Sequence, residues 1–165
     1  SRLIRYQLIL EMLGLPIFHA PRMEKRYWDA YFTQVKPEPG TRETLEKLRG
    51  LGFRIGVGTN MTAPQQYEKL RLLGLLALVD FMVCSEEVNA EKPDPKLFAR
   101  CAEKAGCAAG ECLFVGDDPE RDIRGALAAG MPAVWLRRSD TGEAPEGVPV
   151  IEKLDALPAL LAAMK

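Results

Sequence analysis

The chain has 165 residues, 47% of them hydrophobic, enough for one domain or a domain with a small appendage. Lysine and arginine number 22 against 23 acidic residues, a formal charge of −1, so there is no diffuse cationic surface of the kind that drives nucleic-acid binding. No apolar run reaches the ~18–20 residues of a bilayer span, and the amino-terminal SRLIRYQLILEMLG is broken by Gln7 and Glu11 with no cleavage site after it, so a cytoplasmic protein without membrane partners is expected.

Residues 1–35 read as helix. Leu3, Ile4, Leu8, Met12 and Leu13 mark a first apolar stripe stopped by Gly14 and Pro16. Met23, Tyr27, Trp28, Tyr31, Phe32 and Val35 mark a second with a period near 3.6. KPEPG (Lys36 to Gly40) is a breaker and sets a boundary, with 1–36 as one unit and 37–165 as another. Thr41 is placed to cap a helix through Arg49, ended by Gly50 and Gly52. FRIGVG (Phe53 to Gly58) follows as a strand. Pro64 opens a helix to Gly74, and DFMVC (Asp80 to Cys84) is a second strand. Asp94-Pro95 caps and starts a helix ending near Gly106. CLFVG is the third strand, PERDIRGALAAG its helix and PAVWL (Pro132 to Leu136) the fourth strand. SDTGEAPEG (Ser139 to Gly147) is an exposed loop, VPVI a short edge strand, and LDALPALLAAM a closing helix that Pro158 starts late or kinks. Strands alternating with helices of about ten residues predict a doubly wound, parallel, Rossmann-like α/β core behind an α-helical front. Cys84, Cys101, Cys107 and Cys112 have no CxxC spacing and the only histidine, His19, is distant. They read as small core residues in a reducing compartment, although the C-x4-C pair Cys107 and Cys112 has the spacing to bridge.

Three loops after strands carry polar groups suited to a phosphate or a cation. Thr59-Asn60 follows the first strand and offers a hydroxyl and backbone amides to an anionic oxygen. Lys92 precedes Pro93, which excludes it from helical geometry and leaves it on an extended loop as a point charge. Asp117, Asp118 and Asp122 lie within six positions after the third strand. Two carboxylates ~4 Å apart repel by roughly 1 kcal/mol in water and roughly 4 at an effective dielectric near 20. A shared cation relieves this, and oxygen-only ligands favour Mg²⁺. Asp117 is the first expected ligand and Asp122 the second. Asp118 also reads as an ordinary acid at a helix amino terminus.

The order strand–Thr-Asn, then Lys-Pro, then strand–GDxxxxD resembles the haloacid dehalogenase (HAD) superfamily of hydrolases. Within it, the branch with a small α-helical cap before the second core strand is the nearest in pattern. The resemblance implies a partial cap over 1–36 and a HAD-like α/β core over 37–165. It implies an aspartyl-phosphate mechanism, with Thr59, Asn60 and Lys92 on the phosphoryl group, Thr59, Lys92 and Asp117 as catalytic residues, and Mg²⁺ on Asp117 and Asp122. The substrate is then a small phosphorylated metabolite.

One element of that pattern is missing. DxD after an apolar strand, which in this family supplies the nucleophile and the general acid/base, occurs nowhere in the 165 residues. In the family's topology that strand lies between those carrying Thr59 and Asp117. The expectation is therefore an amino-terminal piece outside this sequence, a break in the sheet, and no turnover by residues 1–165 alone. A non-catalytic binding module, a phosphomutase and a dehalogenase are the alternatives, the last disfavoured by the paired Asp117 and Asp122. The first 35 residues hold Arg2, Arg5, Arg22, Lys25 and Arg26 against Glu11, Glu24 and Asp29, which suits an anion without selecting one. Arg137-Arg138 reads as a solvated strand end, and the pattern sets no oligomeric state.

Overall fold

The structure, a computed structural model, describes residues 1–138 and 143–163. The expected loop at Ser139–Gly147 therefore falls partly outside the described residues. The front is a helical hairpin of α1 (Arg2–Met12) and α2 (Ala20–Gln34). Its aromatic stripe packs on itself, with Tyr27, Trp28, Tyr31 and Phe32 rings 5.1–6.3 Å apart and the Arg2 guanidinium 3.7 Å from the Tyr27 ring centre. Only Leu10 and Ala20 are buried in these helices. No helix among the described residues is long and apolar enough to cross a membrane.

The core follows as α3 (Thr41–Gly50), β1 (Gly56–Thr59), α4 (Ala63–Leu72), β2 (Phe81–Cys84), the single turn α5 (Ser85–Val88) and α6 (Pro95–Ala105). Then come β3 (Phe114–Gly116), α7 (Gly125–Ala128), β4 (Ala133–Leu136), β5 (Val150–Ile151) and α8 (Leu157–Ala163). Two local expectations are corrected. Thr41 is the first helical residue rather than the cap, because the chain turns at Gly40 with φ 75°, a left-handed conformation that glycine takes without strain. The first strand begins at Gly56 rather than Phe53, since only Gly56–Thr59 lie opposite Phe81–Cys84. Ile55 is instead tied to Asp80, donating to its carboxylate at 2.7 Å and accepting from its N–H at 2.8 Å. The Asp94 cap holds as read, its side chain accepting from the Lys96 N–H at 2.9 Å, and Gly106 closes α6 with φ 73°.

All strand pairs are parallel, and the sheet is in two pieces. β1 pairs with β2, and β3 pairs with β4, which pairs with β5. Between β1 and β3 lies a cavity of about 760 Å³, lined by Ile55 to Gly58 on one side and Leu113 to Asp117 on the other. The break lies between the strand that ends at Thr59 and the strand that runs into Asp117. Helices hold the two pieces together. On one face Leu97, Phe98 and Cys101 of α6 are buried with Val83 of β2, Ile123, and Ala133 and Trp135 of β4. Phe98 meets Phe114 of β3 edge-on at 5.0 Å. On the other face Leu48 of α3 and Leu157 of α8 cover Val134 and Ile151. Fully burying a side chain the size of Leu97 or Phe98 contributes roughly 1.5–3 kcal/mol, and α6 packs in this way against strands of both pieces.

Candidate active site

The carboxyl ends of β1 and β3 open to the same side, where open α/β sheets bind their ligands. Lys92 lies between them. Its ammonium donates to Asp122 Oδ1 at 2.6 Å and to the Gly58 carbonyl at 3.1 Å. The pair is closed off, with side chains 14% and 7% exposed. Asn60 fixes the lysine's backbone from two sides, Oδ1 accepting from the Lys92 N–H at 2.8 Å and Nδ2 donating to its carbonyl at 3.4 Å. The peptide bond into Pro93 is cis. Thr59 is tied into the same turn, Oγ1 accepting from the Met61 N–H at 3.1 Å and lying 3.4 Å from Gln66 Oε1.

The three acids are not pooled around one point. Each has its own counterpart. Asp122 turns back beneath the strand end, where its Oδ2 accepts from the N–H groups of Asp117 and Asp118 at 3.1 and 3.2 Å. Asp118 caps the helical segment after it, one oxygen accepting from the Glu120 and Arg121 N–H groups at 3.0 and 2.8 Å. Asp117 points outward and is half exposed, with Oδ2 3.1 Å from Arg138 Nε. Its backbone carbonyl accepts from the Trp135 indole at 3.1 Å.

The segment Pro119–Arg124 is wound more widely than an α-helix, with the Ile123 N–H reaching five residues back to Asp118 at 3.2 Å. That winding brings Asp122 under Gly116. A Cβ on Gly116 would stand 2.3 Å from the Asp122 Cβ, so only glycine lets strand and carboxylate approach this closely.

Thus Thr59, Asn60, Lys92, Asp117 and Asp122 all come to one end of the sheet. Arg138, read from the sequence as a solvated strand end, contacts Asp117 and also pairs with Glu38 in the linker. Gln66 and the Gly58 carbonyl were missed. Gln66 is buried on α4 one turn in, and a single polar residue in a helix carries no sequence signal; a carbonyl never does. As for a metal, the donors are oxygens, which suits a hard divalent ion. Asp117 has an oxygen to offer, whereas both oxygens of Asp122 are already engaged. Among the described residues no three acidic, histidine or cysteine side chains cluster as a complete site. The set fits Mg²⁺ in kind.

A model of the haloacid dehalogenase-like hydrolases matches residues 10–136. The chain belongs to this family. It is similar to a glyceraldehyde 3-phosphate phosphatase of Methanopyrus kandleri, 43% identical over 68% of this chain and 48% of that protein. It is similar also to a ribulose-1,5-bisphosphate 5-phosphatase of Halopiger xanaduensis, 39% identical over 73% of this chain and 50% of that protein. Among solved structures, a 2-haloacid dehalogenase from Pseudomonas syringae superposes with a TM-score of 0.80 at 31% identity, covering 99% of this chain and 71% of that one. The HAD-family chain spans about half the length of these phosphatase relatives.

Proposed function

We propose that this HAD-family chain carries part of the site of a Mg²⁺-dependent phosphatase acting on a small phosphorylated metabolite. The observation that carries the reading is the placement of Lys92 between Gly58 and Asp122 at the mouth between two parallel strands. A buried lysine so fixed presents a positive charge at one point without reorganisation, which phosphoryl transfer uses for positioning and charge stabilisation. Thr59 and Asn60 hold the adjoining loop, and with Lys92 they bind and orient the phosphoryl oxygens. Asp117, the outward acid, would hold Mg²⁺, and Asp122 supports it from behind by ordering the Asp117 and Asp118 amides and Lys92. The metal, when bound, neutralises charge on the phosphoryl oxygens.

The nucleophilic aspartate that takes the phosphoryl group, and the acid/base that protonates the leaving oxygen and then activates water, are not among these 165 residues. Their place is the slot between β1 and β3, whose carboxyl end opens beside Thr59 and Asp117. Phosphatase relatives at 39–43% identity support phosphate-ester hydrolysis over dehalogenation. The test is phosphate release from a panel of small phosphomonoesters by the full-length gene product, with and without Mg²⁺. Turnover that needs Mg²⁺, falls by orders of magnitude in Lys92→Ala and Asp117→Asn, and is absent from residues 1–165 alone is expected. Metal-independent release of halide from 2-haloacids, with no phosphate released, would sink the reading.

A further inference from the structure

We propose that Cys107 and Cys112 are a thiol–disulfide exchange site, closing reversibly into a disulfide at the amino-terminal root of β3. It lies at the opposite end of that strand from Asp117 and does not depend on the hydrolase reading. The chain folds back here over six residues. Gly106 ends α6 with φ 73°, and a 3₁₀ turn, Ala109–Glu111, brings the chain round. The Glu111 carboxylate locks the turn by accepting from the Ala108 N–H at 2.9 Å, while the Glu111 and Cys112 N–H groups donate to Ala108 and Ala109, each at 3.0 Å. The result holds the two Sγ atoms 3.0 Å apart, in a thiol–thiol hydrogen bond. A disulfide needs roughly 2.05 Å, so closure asks for about 1 Å of movement within one short turn.

The other cysteines are not in this position. Cys84 and Cys101 are buried, whereas Cys107 and Cys112 are partly exposed, at the cavity between β1 and β3 that they help to line. Burial pushes the Cys101 thiol up to about 11. Burial, then the hydrogen bond with Cys107, pushes Cys112 up to about 12. The thiolate is the attacking species. The oxidant is a low-molecular-weight disulfide, RS–SR. One thiol of the pair, deprotonated, attacks one sulfur, expels RS⁻ and becomes a mixed disulfide. Its neighbour, held 3.0 Å away, then gives up its proton, attacks that Sγ and expels the second RS⁻. Two protein S–H bonds are lost, one S–S bond forms, and the oxidant leaves as two thiols. A thiol pool runs the sequence backwards.

The experiment equilibrates the chain in glutathione buffers of rising oxidised fraction, quenches with an alkylating agent and maps cysteines by mass spectrometry. A crosslinked 107–112 segment two hydrogens lighter is expected, with Cys84 and Cys101 alkylated only after unfolding. The folded chain should close at a more reducing ratio than the same chain in denaturant, by on the order of tenfold. Cys112→Ser and Cys107→Ser should each stop at a glutathione mixed disulfide on the remaining cysteine, with no crosslink. The proposal is overturned if folded and denatured chains close at the same ratio, if no 107–112 crosslink forms, or if another cysteine pair closes first.

Discussion

The floor and the rim of the site solve the same electrostatic problem in opposite ways. On the floor, Lys92 and Asp122 are nearly sealed, and each makes further hydrogen bonds, to the Gly58 carbonyl and to two backbone amides. On the rim, Asp117 and Arg138 are about half exposed and share a single contact at 3.1 Å. A sealed pair that loses one partner leaves a stranded charge, whereas an exposed pair that loses one is rescued by water. The floor therefore holds its charges in fixed positions, which is how the proposed function uses Lys92. On the proposed function, the rim is where an incoming cation would exchange partners.

The largest expected effect is on the floor. Lys92→Met should destabilise the chain by about 3–5 kcal/mol, because Asp122 stays buried without its counter-charge. The double variant with Asp122→Asn should recover much of the loss, and a double-mutant cycle by urea unfolding measures the coupling. Additive losses would mean that the pair is not sealed. Next comes Gly116→Ala, whose added methyl meets Asp122 at 2.3 Å; about 1–3 kcal/mol is expected, and an unchanged unfolding midpoint would contradict the close approach. On the rim, Asp117→Asn should change stability by no more than about 0.5 kcal/mol, and on the proposed function it should also abolish the Mg²⁺-dependent phosphate release by the full-length gene product.

The smallest effect belongs to Asp80, which bonds a backbone amide as the floor does and a surface arginine as the rim does. The Ile55 N–H, and then Arg49, hold its carboxyl below the usual aspartate range. A depressed folded-state value gives stability that is present above the unfolded value and lost as pH falls through the folded one. Asp80→Asn should thus lower the melting temperature slightly at neutral pH, and the two melting curves should converge in acid. A gap that widens in acid would reverse the sign.

Much of this was readable because chemistry and secondary structure share punctuation. Asp94-Pro95, Gly106 and the apolar run into Gly116 mark element ends, and ligand-binding groups in α/β sheets stand at element ends. The clustering of Thr59, Asn60, Lys92, Asp117 and Asp122 follows from that. What the sequence hides is direction. Asp117 and Asp122 both read as ligands from the sequence, yet the wide helical turn after Pro119 leaves one outward and sends the other beneath the strand. Arg138 looks like any charged strand end, and only its distance to Asp117 shows otherwise. The hairpin hides something different. Its apolar periodicity gives the helices correctly, yet Leu8, Met12 and Leu13 of the first stripe are 50%, 86% and 65% exposed, because periodicity marks a face and not what lies against it.

The slot between β1 and β3 leaves a signature in amide hydrogen exchange. Along an inner parallel strand, successive residues turn their N–H groups to alternate neighbours. In β1 and β3 only one neighbour is laddered among the described residues. Protection should therefore run as stripes: slow amides turned toward β2 or β4, fast ones facing the slot, in strict alternation. A strand entering the slot parallel to both edges would turn those stripes into uniform protection, residue by residue, starting from the end where it docks.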